Sequence, residues 1–106
     1  MARALINVPP KARKGDVIEI KTLISHPMET GFRVGYNGAL IPRDIIETFV
    51  CAYNGAEVFR AKLSPAIAAN PFISFTTIAM DSGSFTFRWT GDNGFELTES
   101  APIEVE

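Results

Sequence analysis

Hydrophobic and polar residues alternate with a period of two along most of this chain. Over 16–24, Ile18, Ile20, Thr22 and Ile24 fall on one side, and Glu19 and Lys21 on the other. This pattern marks a strand with one face in a core and one in water. The same period sets Phe85, Phe87 and Trp89 against Ser84, Thr86 and Arg88 over 84–90. It also places Phe95, Leu97, Ala101, Ile103 and Val105 on one face of 95–105. Further strands are predicted over 5–8, 57–63 and 72–80. Pro9-Pro10 ends the first, because proline has no N–H to give a ladder. Asn54-Gly55 predicts a two-residue hairpin turn, Asp92-Asn93-Gly94 a second turn, and 64–71 a loop with a proline near each end.

The strand predicted over 45–53 departs from simple alternation. Its odd positions carry Ile45, Phe49, Cys51 and Tyr53, and its even positions Ile46, Val50 and Ala52. A sheet-on-sheet core covers one face of a strand. A strand apolar on both faces therefore needs a second cover, so Ile46, Val50 and Ala52 are expected to meet a partner.

Between these strands lies an irregular excursion, 25–44, which holds the only histidine. Pro27 stops the ladder, and Asn37-Gly38 predicts a small hairpin standing off the rest of the fold. Phe32 and Tyr36 have no core pattern around them and are expected on its surface, where exposed apolar area marks docking. His26 has two readings: local capping or packing at a strand end, or a contact with the same partner.

About seven strands with turn signals every eight to twelve residues predict a single immunoglobulin-like antiparallel β-sandwich over 1–106, with the extra hairpin added. The segment Asp81-Ser82-Gly83-Ser84-Phe85-Thr86-Phe87 is similar to the corner entering strand F of immunoglobulin domains. Phe85 stands where that corner has tyrosine and Phe87 where antibody domains have their second cysteine. The corner's hydroxyl hydrogen bond is therefore expected to be missing.

Composition sharpens this picture mainly by exclusion. A chain of 106 residues with 46% hydrophobic residues and eight phenylalanines supports one domain with a real core. Ten basic and twelve acidic residues leave a net charge of -2, which argues against nucleic acid or an anionic membrane as partner. The one basic run, Lys11-Ala12-Arg13-Lys14, reads as a solvated turn. No apolar run approaches the roughly 20 residues needed to span a bilayer. The opening Met1–Val8 is too short before Pro9-Pro10 to be a secretory signal core.

One histidine and one cysteine cannot supply a zinc or sandwich-type copper site, and no phosphate-binding glycine motif is present. Cys51 lies in the apolar string Phe49-Val50-Cys51-Ala52-Tyr53, where burial raises a thiol's pKa and silences it. A thiol enzyme using Cys51 and His26 remains as a separate class, which rapid alkylation of Cys51 in the folded protein would reveal. No catalytic, cofactor-binding or metal-binding residue is assigned. The residues by themselves describe an interaction module.

Four blocks in order carry a family resemblance: His26-Pro27-Met28-Glu29-Thr30-Gly31, Ile41-Pro42-Arg43, Phe49-Val50-Cys51-Ala52-Tyr53-Asn54-Gly55 and Ala68-Ala69-Asn70-Pro71-Phe72. With Lys14-Gly15-Asp16-Val17 before them and the 83–89 strand after, the chain resembles the Z subunit of the bacterial sulfur-oxidation (Sox) system. The resemblance implies a non-enzymatic partner of a Y subunit, SoxY-like, which carries sulfur intermediates on a cysteine near its mobile C-terminus. The pair presents that arm to the enzymes of thiosulfate oxidation. This chain ends Ile103-Glu104-Val105-Glu106 with no Gly-Gly-Cys-Gly-Gly arm, so Cys51 is not expected to be the carrier. The resemblance also implies a periplasmic location, reached by export with the partner. The alternative reading is a free-standing immunoglobulin-like adhesion or accessory domain.

Overall fold

The two-residue period becomes eight strands in a computed structural model that describes residues 3–106. Met1 and Ala2, the start of the apolar opening stretch, lie outside the described residues. The strands are β1 (Ala4–Asn7), β2 (Lys11–Ala12), β3 (Val17–Ile24), β4 (Ile46–Tyr53), β5 (Ala56–Lys62), β6 (Phe72–Ile78), β7 (Gly83–Gly91) and β8 (Glu96–Val105). One sheet has the order β1-β3-β6 and the other β2-β8-β7-β4-β5. All pairs are antiparallel except β2 with β8. The fold is the immunoglobulin-like β-sandwich that the alternation predicted.

The run read as a solvated turn is a correction. Pro9-Pro10 closes β1 and carries the chain from one sheet to the other, where Lys11 and Ala12 run parallel to Glu104 and Val105. Lys11 Nζ then lies 3.2 Å from a Glu104 carboxylate oxygen. A strand of two residues is too short to show a period, so only the presence of β8 beside it defines it.

The core is the set of inward positions that the pattern marked. Ile18, Ile20 and Ile24 of β3 face Phe49, Cys51 and Tyr53 of β4 and Phe85, Phe87 and Trp89 of β7, all buried. Phe49 is the hub of an aromatic cluster, with ring centroids 5.1 Å from Trp89 and 6.3 Å from both Phe75 and Phe87. Phe59 of β5 stacks on Phe75 of β6 at 4.4 Å and so closes one side of the sandwich. The Trp89 indole N–H is buried without a hydrogen-bond partner among the described residues.

The missing corner hydroxyl is replaced from another strand. Tyr53 of β4 stacks on Phe85 at 4.3 Å, and its hydroxyl donates to the Asp81 carbonyl. The same oxygen accepts from the Met80 and Asp81 N–H groups at 3.2 and 3.1 Å. The corner therefore keeps a tyrosine hydroxyl, although Phe85 cannot supply it.

Candidate functional site

The excursion leaves the sandwich from its β3 end and returns into β4, and both of its roots are pinned. His26 begins it: its N–H donates to Asn70 Oδ1 at 2.9 Å, and its carbonyl accepts from Asn70 N–H at 2.8 Å. Its ring is buried edge-on against Phe95, with centroids 4.9 Å apart. Nδ1 accepts the Met28 N–H at 3.0 Å, so the neutral ring carries its proton on Nε2, which lies 3.8 Å from Asp44 Oδ1. Pro27 between them cannot donate, and this leaves the turn to be closed by the histidine side chain.

Met28 is the pin itself. Its φ of 50° lies in the left-handed region, which costs a residue with a Cβ about 1–2 kcal/mol. The conformation is held because the side chain is buried and its sulfur accepts the Ile46 N–H at 3.3 Å. Two backbone bonds between Glu29 and Asp44, at 2.8 and 2.9 Å, then join the outgoing and returning chains.

The returning root is fixed by charge. Arg43 donates from Nε and Nη2 to the two oxygens of Asp92, each at 2.8 Å. Asp92 also accepts the Ile45 N–H at 3.1 Å. This bidentate pair holds the Asp92 carboxyl at about 2, well below the usual range, with the Arg43 hydrogen bonds as the main cause. The approach is close: a Cβ on Gly91 would fall 2.2 Å from the Ile45 carbonyl oxygen, so only glycine fits there.

Beyond these roots the excursion is a minimal hairpin. Ile41 N–H bonds to Arg33 O and Gly35 N–H to Ala39 O, both at 2.8 Å, around a turn in which Gly38 has a φ of 84°. Most of its side chains are exposed. Phe32 is 80% exposed and Tyr36 fully so, with Val34 and Leu40 exposed beside them. This is the surface expected for Phe32 and Tyr36.

The other proposed contact residues do not join them. Ile46 is fully buried, a correction to its place on an outer face with Val50 and Ala52. The register of β4 shifts against β7 between Ile46 and Thr48; Glu47 is the extra residue of this bulge, so the inward alternation of Phe49, Cys51 and Tyr53 passes to Ile46 instead of Glu47. Val50 and Ala52 are half-buried on the outer face, but their surroundings are polar. Val50 stands opposite Arg60 and Arg88, and Ala52 opposite Glu57 and Thr86. Val50 and Ala52 thus lie on an outer face with charged cross-strand neighbours, apart from the hairpin. His26 lies inside rather than at the surface, which is its packing role.

Sequence reasoning had no means to single out Met28, Arg43, Asn70 and Asp92 by function. Three of them sit in blocks that carried the resemblance, and the structure brings those three blocks together where β3 ends and β4 begins. Among the described residues no three His, Cys, Asp or Glu side chains cluster as a metal site. Cys51 is fully buried, and burial pushes its thiol up to about 12. What the arrangement can do is hold an apolar hairpin at a fixed angle to the sandwich.

Solved structures share the fold. A superoxide reductase (neelaredoxin) from Ignicoccus hospitalis superposes with a TM-score of 0.76 at 17% identity, over 97% of this chain and 80% of that one. The sulfur carrier protein SoxY from Chlorobium limicola superposes with a TM-score of 0.67 at 12% identity, over 97% and 78%. At such identities the likeness is one of fold alone. No curated protein matches the chain in a sequence comparison. The family model for the sulphur oxidation protein SoxZ, however, matches residues 6–102. That span takes in the sandwich from β1 into β8 and every residue that pins the excursion, and the chain therefore belongs to the SoxZ family, subunits of the Sox sulfur-oxidation system.

Proposed function

We propose that this chain is the non-catalytic half of a heterodimeric sulfur-carrier complex. Its partner is a Y-type subunit whose C-terminal cysteine carries the sulfur intermediates of thiosulfate oxidation past the pathway's enzymes. The observation that carries the non-catalytic reading is the state of the two candidate groups. The sole thiol is buried mid-strand with its pKa raised, and the sole imidazole is occupied in closing a turn. A group that must swing between enzymes needs exposure and reach, and a nucleophilic thiol needs a lowered pKa. Cys51 has none of these.

The pinned hairpin is the surface offered to the partner, with Phe32 and Tyr36 as its anchors. Aromatic residues held on a rigid support are the commonest energetic centres of interfaces. The complex works in the periplasm, and this chain reaches it by travelling with an exported partner.

The test is reconstitution. Co-expressed with a Y-type subunit, the chain should purify as a one-to-one complex. Cys51→Ser in that complex should leave thiosulfate-dependent turnover intact. Turnover lost while the complex still assembles would overturn the non-catalytic reading. Failure to co-purify would favour a free-standing accessory domain.

A further inference from the structure

A sheet edge presents backbone N–H and C=O groups ready to pair with another chain, and proteins guard such edges with charge, brevity or bulges. Among the described residues this sandwich has four edge strands, and they are not guarded alike. β2 has two residues and β1 four, the latter followed by Pro9-Pro10. β5 carries Glu57, Arg60 and Lys62, and its register with β4 is broken between Cys51 and Ala52.

β6 is the least guarded: Pro71 precedes it, but the strand itself carries none of these devices. Its seven residues, Phe72-Ile73-Ser74-Phe75-Thr76-Thr77-Ile78, include no charge and no proline. It pairs with β3 over seven positions without a register shift. No loop covers its outer side by a backbone hydrogen bond among the described residues. The exposed side chains at its two ends are apolar, with Phe72 61% and Ile78 43% exposed. Chain composed in this way is a pairing template.

The edge fits a copy of itself. Antiparallel pairing about Phe75 would set Phe72 opposite Ile78 at both ends and Ser74 opposite Thr76 between them. On the outer face apolar meets apolar and hydroxyl meets hydroxyl, on the inner face Ile73 would meet Thr77, and no charge is opposed. Such self-complementarity is what a twofold interface requires, because each residue must suit its own symmetry mate. On the inner face the Phe59–Phe75 stack holds Phe75 in place.

We infer that β6 pairs antiparallel with β6 of a second copy of this chain, joining the two three-stranded sheets into one continuous sheet. This is distinct from the partner contact proposed above, which lies on the hairpin. The two can fail independently.

Analytical ultracentrifugation of the purified chain, with and without edge variants, tests the pairing and its register. The wild-type chain should sediment as a concentration-dependent dimer. Ser74→Lys with Thr76→Lys opposes like charges twice in each dimer, and should raise the dissociation constant at least about tenfold. Ser74→Glu with Thr76→Lys places opposite charges against each other in the same register, and should keep the dimer. Near-UV circular dichroism checks that both variants are folded, and both should still co-purify with a Y-type subunit. A wild-type chain that stays monomeric at high concentration would overturn the inference. So would a dimer indifferent to the double-lysine change, or one lost equally in both folded variants.

Discussion

The two ends of one excursion differ more than any other two regions of this molecule. At its base, His26, Met28, Asn70, Arg43 and Asp92 satisfy one another within a few ångströms, and Met28 is held in an unfavourable backbone conformation. At its tip, Phe32, Val34, Tyr36 and Leu40 touch little and face solvent. A segment that only linked β3 to β4 would have no reason for either. The combination is that of a rigid mount and an unfilled contact: binding loses less entropy when the anchors are already held in place.

Substitutions should separate the two ends. The largest effect on the isolated chain belongs to the buried root of β4. Ile46→Ala should lose about 2–5 kcal/mol of stability in denaturant unfolding, the usual range for a buried aliphatic. A loss under about 1 kcal/mol would return Ile46 to the surface. His26→Ala comes next. It leaves the Met28 N–H buried without an acceptor, which should cost about 1–3 kcal/mol, and amide exchange over 27–31 should quicken with it.

The charged root should show itself through pH. Asp92 has its carboxyl at about 2, below the ordinary value of 3.8, because Arg43 favours the ionised form in the folded chain. The folded chain thus binds that proton less readily than the unfolded one. The stability this contributes is fully present above the unfolded value and is lost as pH falls from about 4 towards about 2. Unfolding midpoints of the wild type and Asp92→Asn should differ at neutral pH and converge across that acid range. Midpoints that stay equally far apart down to the acid limit would mean the pair does not fix the root.

The smallest effect on folding should come from the tip. Phe32→Ala and Tyr36→Ala should each change stability by no more than about 0.5 kcal/mol, as exposed positions do. Each should nevertheless weaken the complex with a Y-type subunit by about 2 kcal/mol or more in a titration, the mark of an interface anchor. Tip variants that bind unchanged would move the partner to another surface.

The difference between the ends was only half legible in the sequence. Phe32 and Tyr36 could be read as exposed because nothing periodic surrounds them, and exposure follows from the lack of a burying pattern. His26 could be read either way, since a lone histidine beside proline has the same sequence in both roles. Ile46 misled, because strict alternation carried through 45–53 ignores the bulge at Glu47 that puts Ile46 on the inward side. The Arg43–Asp92 pair joins residues 49 positions apart, and no local rule reaches that far.

By itself the sequence determined the sandwich: strand positions, inward aromatics, the inert setting of Cys51 and the exposed hairpin all follow from local period and turn chemistry. Only the tertiary structure decided which residues pin that hairpin, that Tyr53 supplies the hydroxyl Phe85 lacks, and that β6 is the least guarded edge among the described residues. The physical reason is the range of the interactions. Periodicity and turns act between near neighbours along the chain, whereas pins, borrowed hydroxyls and sheet edges exist only once distant strands lie side by side.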